Sequence, residues 1–307
     1  MKPITIFTGS TGLNTVLDPV RVYDSKNGIS DLAVAADVDI SDANRLSRRK
    51  GRTLQLSGDY HSLFCDGGQC LCATGTSLCV LNADYTTTVI GTVKAKARLS
   101  YCQFGDRIYF QNGFEKGYVK DSVVNEWLKP STYVGPDTKR IYSDPPIGTH
   151  VEYYKGRMYV AENNVLWFSE PGNIGAFDLA RNFFQFLGNI TMVKAVKAGL
   201  FISDSEKTYF YPGSNPNEFI QTIVAPYPAI QYSSAKTKHQ LVSSQEGPTL
   251  IPSGESSLIW MSTSGICYGG ADGVFYNLTE QKITGFPDGI TGSGIVTNNK
   301  YIGLIDP

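Results

Sequence analysis

Apolar and polar side chains alternate with a period of two between residues 32 and 40. The apolar positions are Leu32, Val34, Ala36, Val38 and Ile40. The positions between them carry only small or acidic side chains, which is typical of a half-buried β-strand. Residues 41–44 read SDAN and predict a turn. A second strand is predicted over 45–56, with Leu54 and Leu56 facing the core, so that the two strands form an N-terminal hairpin.

A loose repeat runs through the chain after Gly58. Each copy has a turn, a short apolar strand, a second turn and an aromatic strand. The five copies lie at residues 65–82, 104–119, 154–171, 197–213 and 254–270. Such copies recur roughly every 40–50 residues, which is the length of a four-stranded propeller blade.

The repeat therefore predicts an all-β fold, a β-propeller of five or six blades. The propeller is predicted to span 58–307. Residues 1–57 are predicted to form an N-terminal arm and a strand hairpin that closes or flanks the ring. A pair of β-sandwiches is the alternative architecture.

Composition limits the possible functions. Of the 307 residues 18% are charged, 31 are glycine, 18 are tyrosine and 15 are phenylalanine, as expected of many short strands joined by tight turns. The formal net charge of −1 provides no overall field that would hold nucleic acid or a membrane surface. No apolar run approaches the ~18 residues of a membrane span. Residues 1–11 lack the apolar core of a signal peptide, so we expect synthesis in the cytoplasm.

Four of the six cysteines fall within fifteen residues. The six are Cys65, Cys70, Cys72, Cys79, Cys102 and Cys267. Their spacing lacks the C-x2-C pair that lets two sulfurs reach one tetrahedral zinc ion. We therefore expect small buried thiols inside a blade, kept reduced because the chain shows no export signal.

Sequence signatures of catalysis are not evident. The three histidines, His61, His150 and His239, lie far apart and form no metal-binding pair such as HExxH. No nucleophile elbow, phosphate loop or dinucleotide fingerprint is present, and the S-x-D-x-G-x-x-W box of sialidase propellers is missing. The sequence predicts a protein that is not an enzyme and that uses neither cofactor nor metal.

The strongest local signal is a cluster of five cationic side chains within eight residues, here called the basic run. Its members are Arg45, Arg48, Arg49, Lys50 and Arg52. Three acids, Asp37, Asp39 and Asp42, come just before it. In a hairpin these acids can neutralise the run through cross-strand pairs. The alternative is a docking surface, on which arginine forks bind partner carboxylates or DNA phosphates.

The same N-terminal stretch resembles structural proteins of tailed bacteriophages, especially the tail hub or head–tail stabilisation proteins of short-tailed phages. The resemblance is carried by Gly12-Leu13-Asn14, Asp18-Pro19-Val20-Arg21, Ala35-Ala36-Asp37-Val38-Asp39-Ile40, the segment from Asn44-Arg45-Leu46 to Arg48-Arg49-Lys50-Gly51, and Gly58-Asp59-Tyr60-His61-Ser62-Leu63. It covers about fifty residues. Asp37 stands where the family pattern has Asn, and Asn44 stands where it has Gly.

The resemblance implies a non-enzymatic part of the virion tail or neck, assembled in the host cytoplasm. It also implies six copies in a ring, contacts with the adaptor or portal ring and with neighbouring tail subunits, and proximity to DNA in the channel. Two other readings remain open: a carbohydrate-binding or glycoside-processing propeller that serves as a receptor-binding module, and a cellular propeller scaffold.

Overall fold

Short antiparallel strands make up the N-terminal part of the fold. The structure is a computed structural model that describes residues 9–19, 23–24, 29–41, 44–66, 68–94, 96–244, 247–287, 289–297 and 300–306. Strand β1 (Tyr23–Asp24) pairs with β2 (Ile29–Ser30), and β3 (Val38–Ile40) pairs with β4 (Leu46–Arg48). The predicted hairpin is therefore present as β3–β4.

Both strands of that hairpin are much shorter than predicted. The alternation over 32–40 yields a strand only at its end, because Asp37 adopts a left-handed backbone with φ of 52° that interrupts an extended chain. Val34 is 80% exposed. The predicted strand over 45–56 ends at Arg48, and Leu54 is 78% exposed rather than in the core.

Five four-stranded sheets follow, each an antiparallel meander of consecutive strands. The first contains β5 (Tyr60–Asp66), β6 (Gln69–Thr74), β7 (Ser77–Leu81) and β8 (Thr87–Thr92). The second contains β9 (Ser100–Phe104), β10 (Arg107–Gln111), β11 (Lys116–Lys120) and β12 (Val123–Asn125). The third contains β13 (His150–Tyr154), β14 (Arg157–Glu162), β15 (Val165–Phe168) and β16 (Phe183–Gln185).

The fourth sheet contains β17 (Ile190–Val196), β18 (Gly199–Asp204), β19 (Thr208–Pro212) and β20 (Thr222–Ala225). The fifth contains β21 (Ala235–Ser244), β22 (Gly247–Ser262), β23 (Gly265–Gly269) and β24 (Phe275–Asn277). A last two-stranded sheet pairs β25 (Thr291–Thr297) with β26 (Lys300–Asp306). A 3-10 turn lies at Pro216–Glu218.

The five copies of the sequence repeat coincide with the second and third strands of the five four-stranded sheets. Tight turns before these strands depend on glycine, as at Gly105 and Gly156, whose φ angles are +62° and +83°. A residue without Cβ adopts this left-handed conformation at little cost. The sequence repeat therefore predicts the hairpin that the second and third strands of each sheet form.

The core is divided into layers between neighbouring sheets. In the described residues four buried apolar clusters occur, one between each consecutive pair of four-stranded sheets. On β10, Ile108 and Phe110 pack towards the first sheet, and Tyr109 packs towards the third. Phe201 and Trp260 join the fourth and fifth sheets. Both faces of the middle sheets are thus buried, which is why the repeat has apolar runs rather than a clean alternation.

The first strands of the sheets surround a central cavity of about 1210 Å³, here called the axial cavity. Sheets packed face to face around such an axis form a β-propeller, so the predicted fold class is confirmed. The two-stranded sheet β25–β26 follows the fifth sheet and packs on it, where Tyr301 Oη donates to the Ser233 carbonyl at 2.6 Å. The number of blades stays a prediction, since this last sheet has two strands.

The N-terminal arm lies against the C-terminal part of the chain. Asp31 forms an ion pair with Lys282 at 3.3 Å, and the amide of Thr284 donates to Thr15 Oγ1 at 2.8 Å. Asp39 on β3 forms an ion pair with Lys300 on β26. In the described residues β3–β4 remains a separate sheet, so the hairpin flanks the C-terminal strands without joining their ladder.

Candidate functional site

The basic run lies on and just after β4. All five of its side chains are exposed, and Arg48 is paired with Val38 in the β3–β4 ladder. The turn of the hairpin is closed by the Ser41 amide, which donates to the Arg45 carbonyl at 3.0 Å. The run therefore lies on a small two-stranded sheet that is separate from the large ones.

The acids that precede the run have different partners. Asp37 accepts a hydrogen bond from the Arg49 guanidinium at 2.6 Å, and its carbonyl accepts from the Arg49 amide at 2.8 Å. Asp39 pairs with Lys300 instead, and this hydrogen bond lowers the pKa of the Asp39 carboxyl. Asp42 lies outside the described residues. One arginine of the run is thus neutralised by a cross-strand acid.

Three arginines of the run have no ion-pair partner within the described residues. Among the residues that the structure describes, Arg45, Arg48 and Arg52 form no ion pair, and the charge of Lys50 contributes only to lowering the pKa of Asp39. Exposed guanidinium groups with unused donors suit the bidentate binding of carboxylates or phosphates. The hairpin can therefore offer charge-assisted contacts to a partner.

A second candidate site lies inside the axial cavity. Glu152 on β13 is only 2% exposed, and each of its carboxylate oxygens accepts a hydrogen bond from one lysine. Lys194 on β17 donates to Oε2 and Lys236 on β21 donates to Oε1, both at 3.0 Å. This triad joins the inner strands of three consecutive sheets.

The charge state of the triad follows from its geometry. Burial opposes ionisation of the Glu152 carboxyl, but the two lysines outweigh it and lower the pKa of Glu152. In return, the carboxylate raises the pKa of Lys236. The Glu152 carboxylate and the Lys236 ammonium group are therefore held in their charged forms, and the triad sets two cationic side chains against one carboxylate.

Arg98 closes the side of the cavity next to the C-terminal strands. Its Nη2 donates to Ser293 Oγ at 2.8 Å, its Nη1 donates to the Gly292 carbonyl, and its guanidinium lies 4.8 Å from the centre of the Tyr232 ring. Arg98 precedes β9, so these contacts link the second sheet to β25. In the described residues no carboxylate forms an ion pair with it.

We expect Arg98→Gln to increase amide hydrogen exchange in β25–β26 by about tenfold, because it removes a charged donor that bridges distant segments. Mass spectrometry of exchange measures this. Arg157→Gln is the matched control, since Arg157 also donates to a carbonyl (Ser169, 2.6 Å) and lies over the Phe168 ring, but within one sheet. Equal effects of the two variants on β25–β26 would contradict the bridging role.

Each of the three histidines has its own local hydrogen-bond partners. His150 is buried between the carbonyls of Thr149 (2.7 Å) and Thr191 (2.6 Å), and burial lowers its pKa. His61 contacts Ser62 and His239 contacts Thr237. No group of three His, Cys, Asp or Glu side chains in the described residues is placed to hold a metal ion.

The cysteines differ in part from the prediction. Cys65 and Cys70 face each other across β5 and β6 and form a disulfide, so the expectation that all six are reduced thiols is wrong. Close cross-strand pairing places their sulfurs within bonding reach. Cys72, Cys79, Cys102 and Cys267 are free and buried, as predicted, and burial raises the pKa of each thiol.

Sequence reasoning missed the lysine–glutamate triad, although a signal for it exists. Glu152 and Lys194 are 42 residues apart, and Lys236 is 84 residues from Glu152. This constant spacing equals one blade period, so the three residues occupy equivalent positions on successive inner strands. Charged residues repeated at the blade period would have indicated a contact at the axis.

No protein-family model matches the sequence, and neither does a curated protein. Among solved structures, the extracellular domain of a putative hybrid two component system from B. thetaiotaomicron is 11% identical with a TM-score of 0.45. The match covers 78% of this chain and 30% of that one, so the chain spans less than a third of that protein's length.

Two other solved structures are similar over most of their length. BamB from Moraxella catarrhalis is 10% identical with a TM-score of 0.42, and 79% of each chain is covered. The WD40 β-propeller domain of Doa1 is 10% identical with a TM-score of 0.41, covering 80% of this chain and 76% of that one. At this level of similarity the comparisons concern the propeller fold alone.

A membrane-spanning helix would need a long apolar run, and none of the described residues form such a helix.

Proposed function

We propose that this chain is a structural virion protein of a tailed phage: a tail hub, nozzle or head–tail joining component that docks on the adaptor or portal ring. The observation that carries the proposal is the exposed basic run, in which Arg45, Arg48 and Arg52 have no ion pair in the described residues. The sequence resemblance to phage tail and neck proteins covers the same stretch. The chain acts by assembly and not by catalysis.

The physical properties of the fold suit this role. Propeller sheets that share apolar layers form a rigid body, and the hairpin lies outside these sheets. Each exposed arginine–carboxylate contact contributes only ~0.2–1 kcal/mol, but six copies in a ring engage together, which raises the overall avidity. A net charge of −1 leaves little attraction for DNA that passes through the channel.

The test reverses charge where it does not disturb the hairpin. We expect the double variant Arg45→Glu/Arg48→Glu to lower incorporation into particles by at least tenfold, because both arginines are exposed and have no ion pair within the described part of the chain, while the Arg49–Asp37 contact is kept. Quantitative mass spectrometry of purified particles measures the copy number. A control variant, Lys139→Glu/Arg181→Glu, makes the same change in net charge at exposed positions of another region.

Normal incorporation of the Arg45/Arg48 variant would show that the basic run is not the docking surface. Mass photometry separates this result from failure of the whole proposal: the native chain should form rings only with its partner ring. A chain that stays monomeric and binds none of the virion components would contradict a virion role. Selective binding on a glycan array would then favour the alternative, a carbohydrate-binding receptor module.

A further inference from the structure

Docking through the basic run does not involve the axial cavity. We infer that this cavity binds a small organic anion with an apolar body. The inference is independent of the proposed virion role, because it rests on the charges and apolar side chains that line the cavity and on none of the residues of the basic run.

In the buried part of the cavity, cationic side chains outnumber carboxylates. Arg98, Lys194 and Lys236 line the cavity, and the buried carboxylate among the described lining residues is Glu152, each of whose oxygens accepts a hydrogen bond from one lysine. Two further carboxylates, Asp66 and Asp306, line the cavity at the exposed ends of β5 and β26. Their charges act on Lys236 and Arg98 respectively, but exposure to water and salt weakens this attraction. A charge inside the cavity is screened less.

Lys236 is the cation best placed to meet a ligand. Its side chain remains 54% exposed, whereas that of Lys194 is 23% exposed, so the ammonium group of Lys236 is open to the cavity. One of its three donors is used by Glu152, which leaves donors for an anionic head group. The negative charge of Glu152 is already offset by two lysines. The site therefore favours an anionic head group.

Part of the cavity wall is apolar. Leu63 on β5 is 58% exposed, and Ile295, Ile302 and Leu304 on the last two strands are 51%, 37% and 61% exposed. All four line the cavity, and Ile295 is paired with Ile302 across the β25–β26 ladder. Exposed apolar groups gathered inside a concave site are the usual feature of a small-molecule pocket. They would bury the apolar body of a ligand.

The size of the cavity agrees with this class of ligand. A volume of about 1210 Å³ exceeds the roughly 300–1,000 Å³ of common ligand pockets, so an aromatic or alkyl anion fits together with water. The head group of the ligand would lie at Lys236 and Arg98, and its body at the apolar wall. Carboxylates, sulfonates and phosphate monoesters share the required chemistry.

The test compares two dyes with nearly the same apolar body. The anion 8-anilinonaphthalene-1-sulfonate and its neutral analogue N-phenyl-1-naphthylamine are titrated into the full chain, and the rise in fluorescence gives each affinity. We expect the sulfonate to bind at one site per chain and at least tenfold more tightly than the neutral dye, because a charge-assisted hydrogen bond adds about that factor. Decanoate should displace the sulfonate dye, and decanol should not.

Three variants separate the contributions of head group and body. Lys236→Gln should weaken sulfonate binding about tenfold and leave the neutral dye unchanged, since Glu152 keeps Lys194 as its partner. Leu304→Gln should weaken both dyes. Lys197→Gln, at an exposed lysine paired with Glu255 outside the cavity, should change neither.

Lys236→Arg keeps the charge and should retain sulfonate binding, which distinguishes loss of the site from loss of the fold. The inference is overturned if the neutral dye binds as tightly as the sulfonate. It is also overturned if folded Lys236→Gln binds the sulfonate like the native chain. Thermal unfolding of each variant confirms that it is folded before titration.

Discussion

Replacing Glu152 with glutamine will lower the free energy of unfolding by about 3 kcal/mol, because it leaves two lysines side by side at the axis without their shared counter-charge. Urea denaturation at pH 7 measures the loss. Glu255→Gln is the matched control: Glu255 also pairs with a lysine, but both side chains of that pair are exposed, so its removal should cost less than 1 kcal/mol. Similar losses in the two variants would mean that the buried triad is not a special stabilising contact.

The effect of Glu152→Gln should depend on pH. The lysines lower the pKa of the Glu152 carboxyl below its usual 4.5, so its contribution to stability is complete above that value and is lost as pH falls through the lowered pKa of the folded state. The difference in stability between the native chain and the variant should therefore shrink below about pH 4.5. A difference that stays constant down to pH 3 would contradict ionic pairing as the source of stability.

Trp260→Ala will destabilise the protein by about 3–5 kcal/mol, because it opens a cavity in the layer between the fourth and fifth sheets. The Trp260 side chain is completely buried, and its ring lies 5.6 Å from that of Phe201 and 5.8 Å from that of Phe275. Thermal unfolding followed by tryptophan fluorescence and circular dichroism measures the change.

Trp260→Phe provides the matched control for this site. The Trp260 Nε1 has no hydrogen-bond partner in the described residues, so phenylalanine removes an unsatisfied polar group while it keeps most of the aromatic packing. We expect a loss of less than half that of the alanine variant. Equal losses of stability in the phenylalanine and alanine variants would contradict packing as the main contribution of Trp260. They would instead indicate that the indole N–H forms a stabilising hydrogen bond.

The repeated part of the fold is well predicted because its signals are local. Turn glycines such as Gly105 and Gly156 and the apolar strands beside them lie within one copy, so a single sequence contains the information needed for a hairpin. Burial on both faces of the middle sheets follows from runs such as that around Ile108. The propeller fold class could therefore be predicted from a short pattern that repeats along the chain.

Contacts between positions far apart in the sequence were not predicted. The triad of Glu152, Lys194 and Lys236 forms only when three inner strands meet at the axis. The apolar alternation over 32–40 predicted a long strand, but the left-handed conformation of Asp37 and the exposure of Val34 depend on how the arm meets the rest of the chain. Local patterning therefore specified the sheets, and tertiary packing specified the site.

The bond between Thr15 and Thr284 joins residues that are 269 positions apart. On the ribosome, the N-terminal arm must wait until Thr284 has been synthesised before it can find this partner. Contacts between residues so far apart in sequence slow folding and extend the time during which strand edges are exposed. The sheets can form one after another as they emerge, but the arm can dock only after all five four-stranded sheets have been synthesised. Chaperone dependence should therefore be concentrated in this docking step.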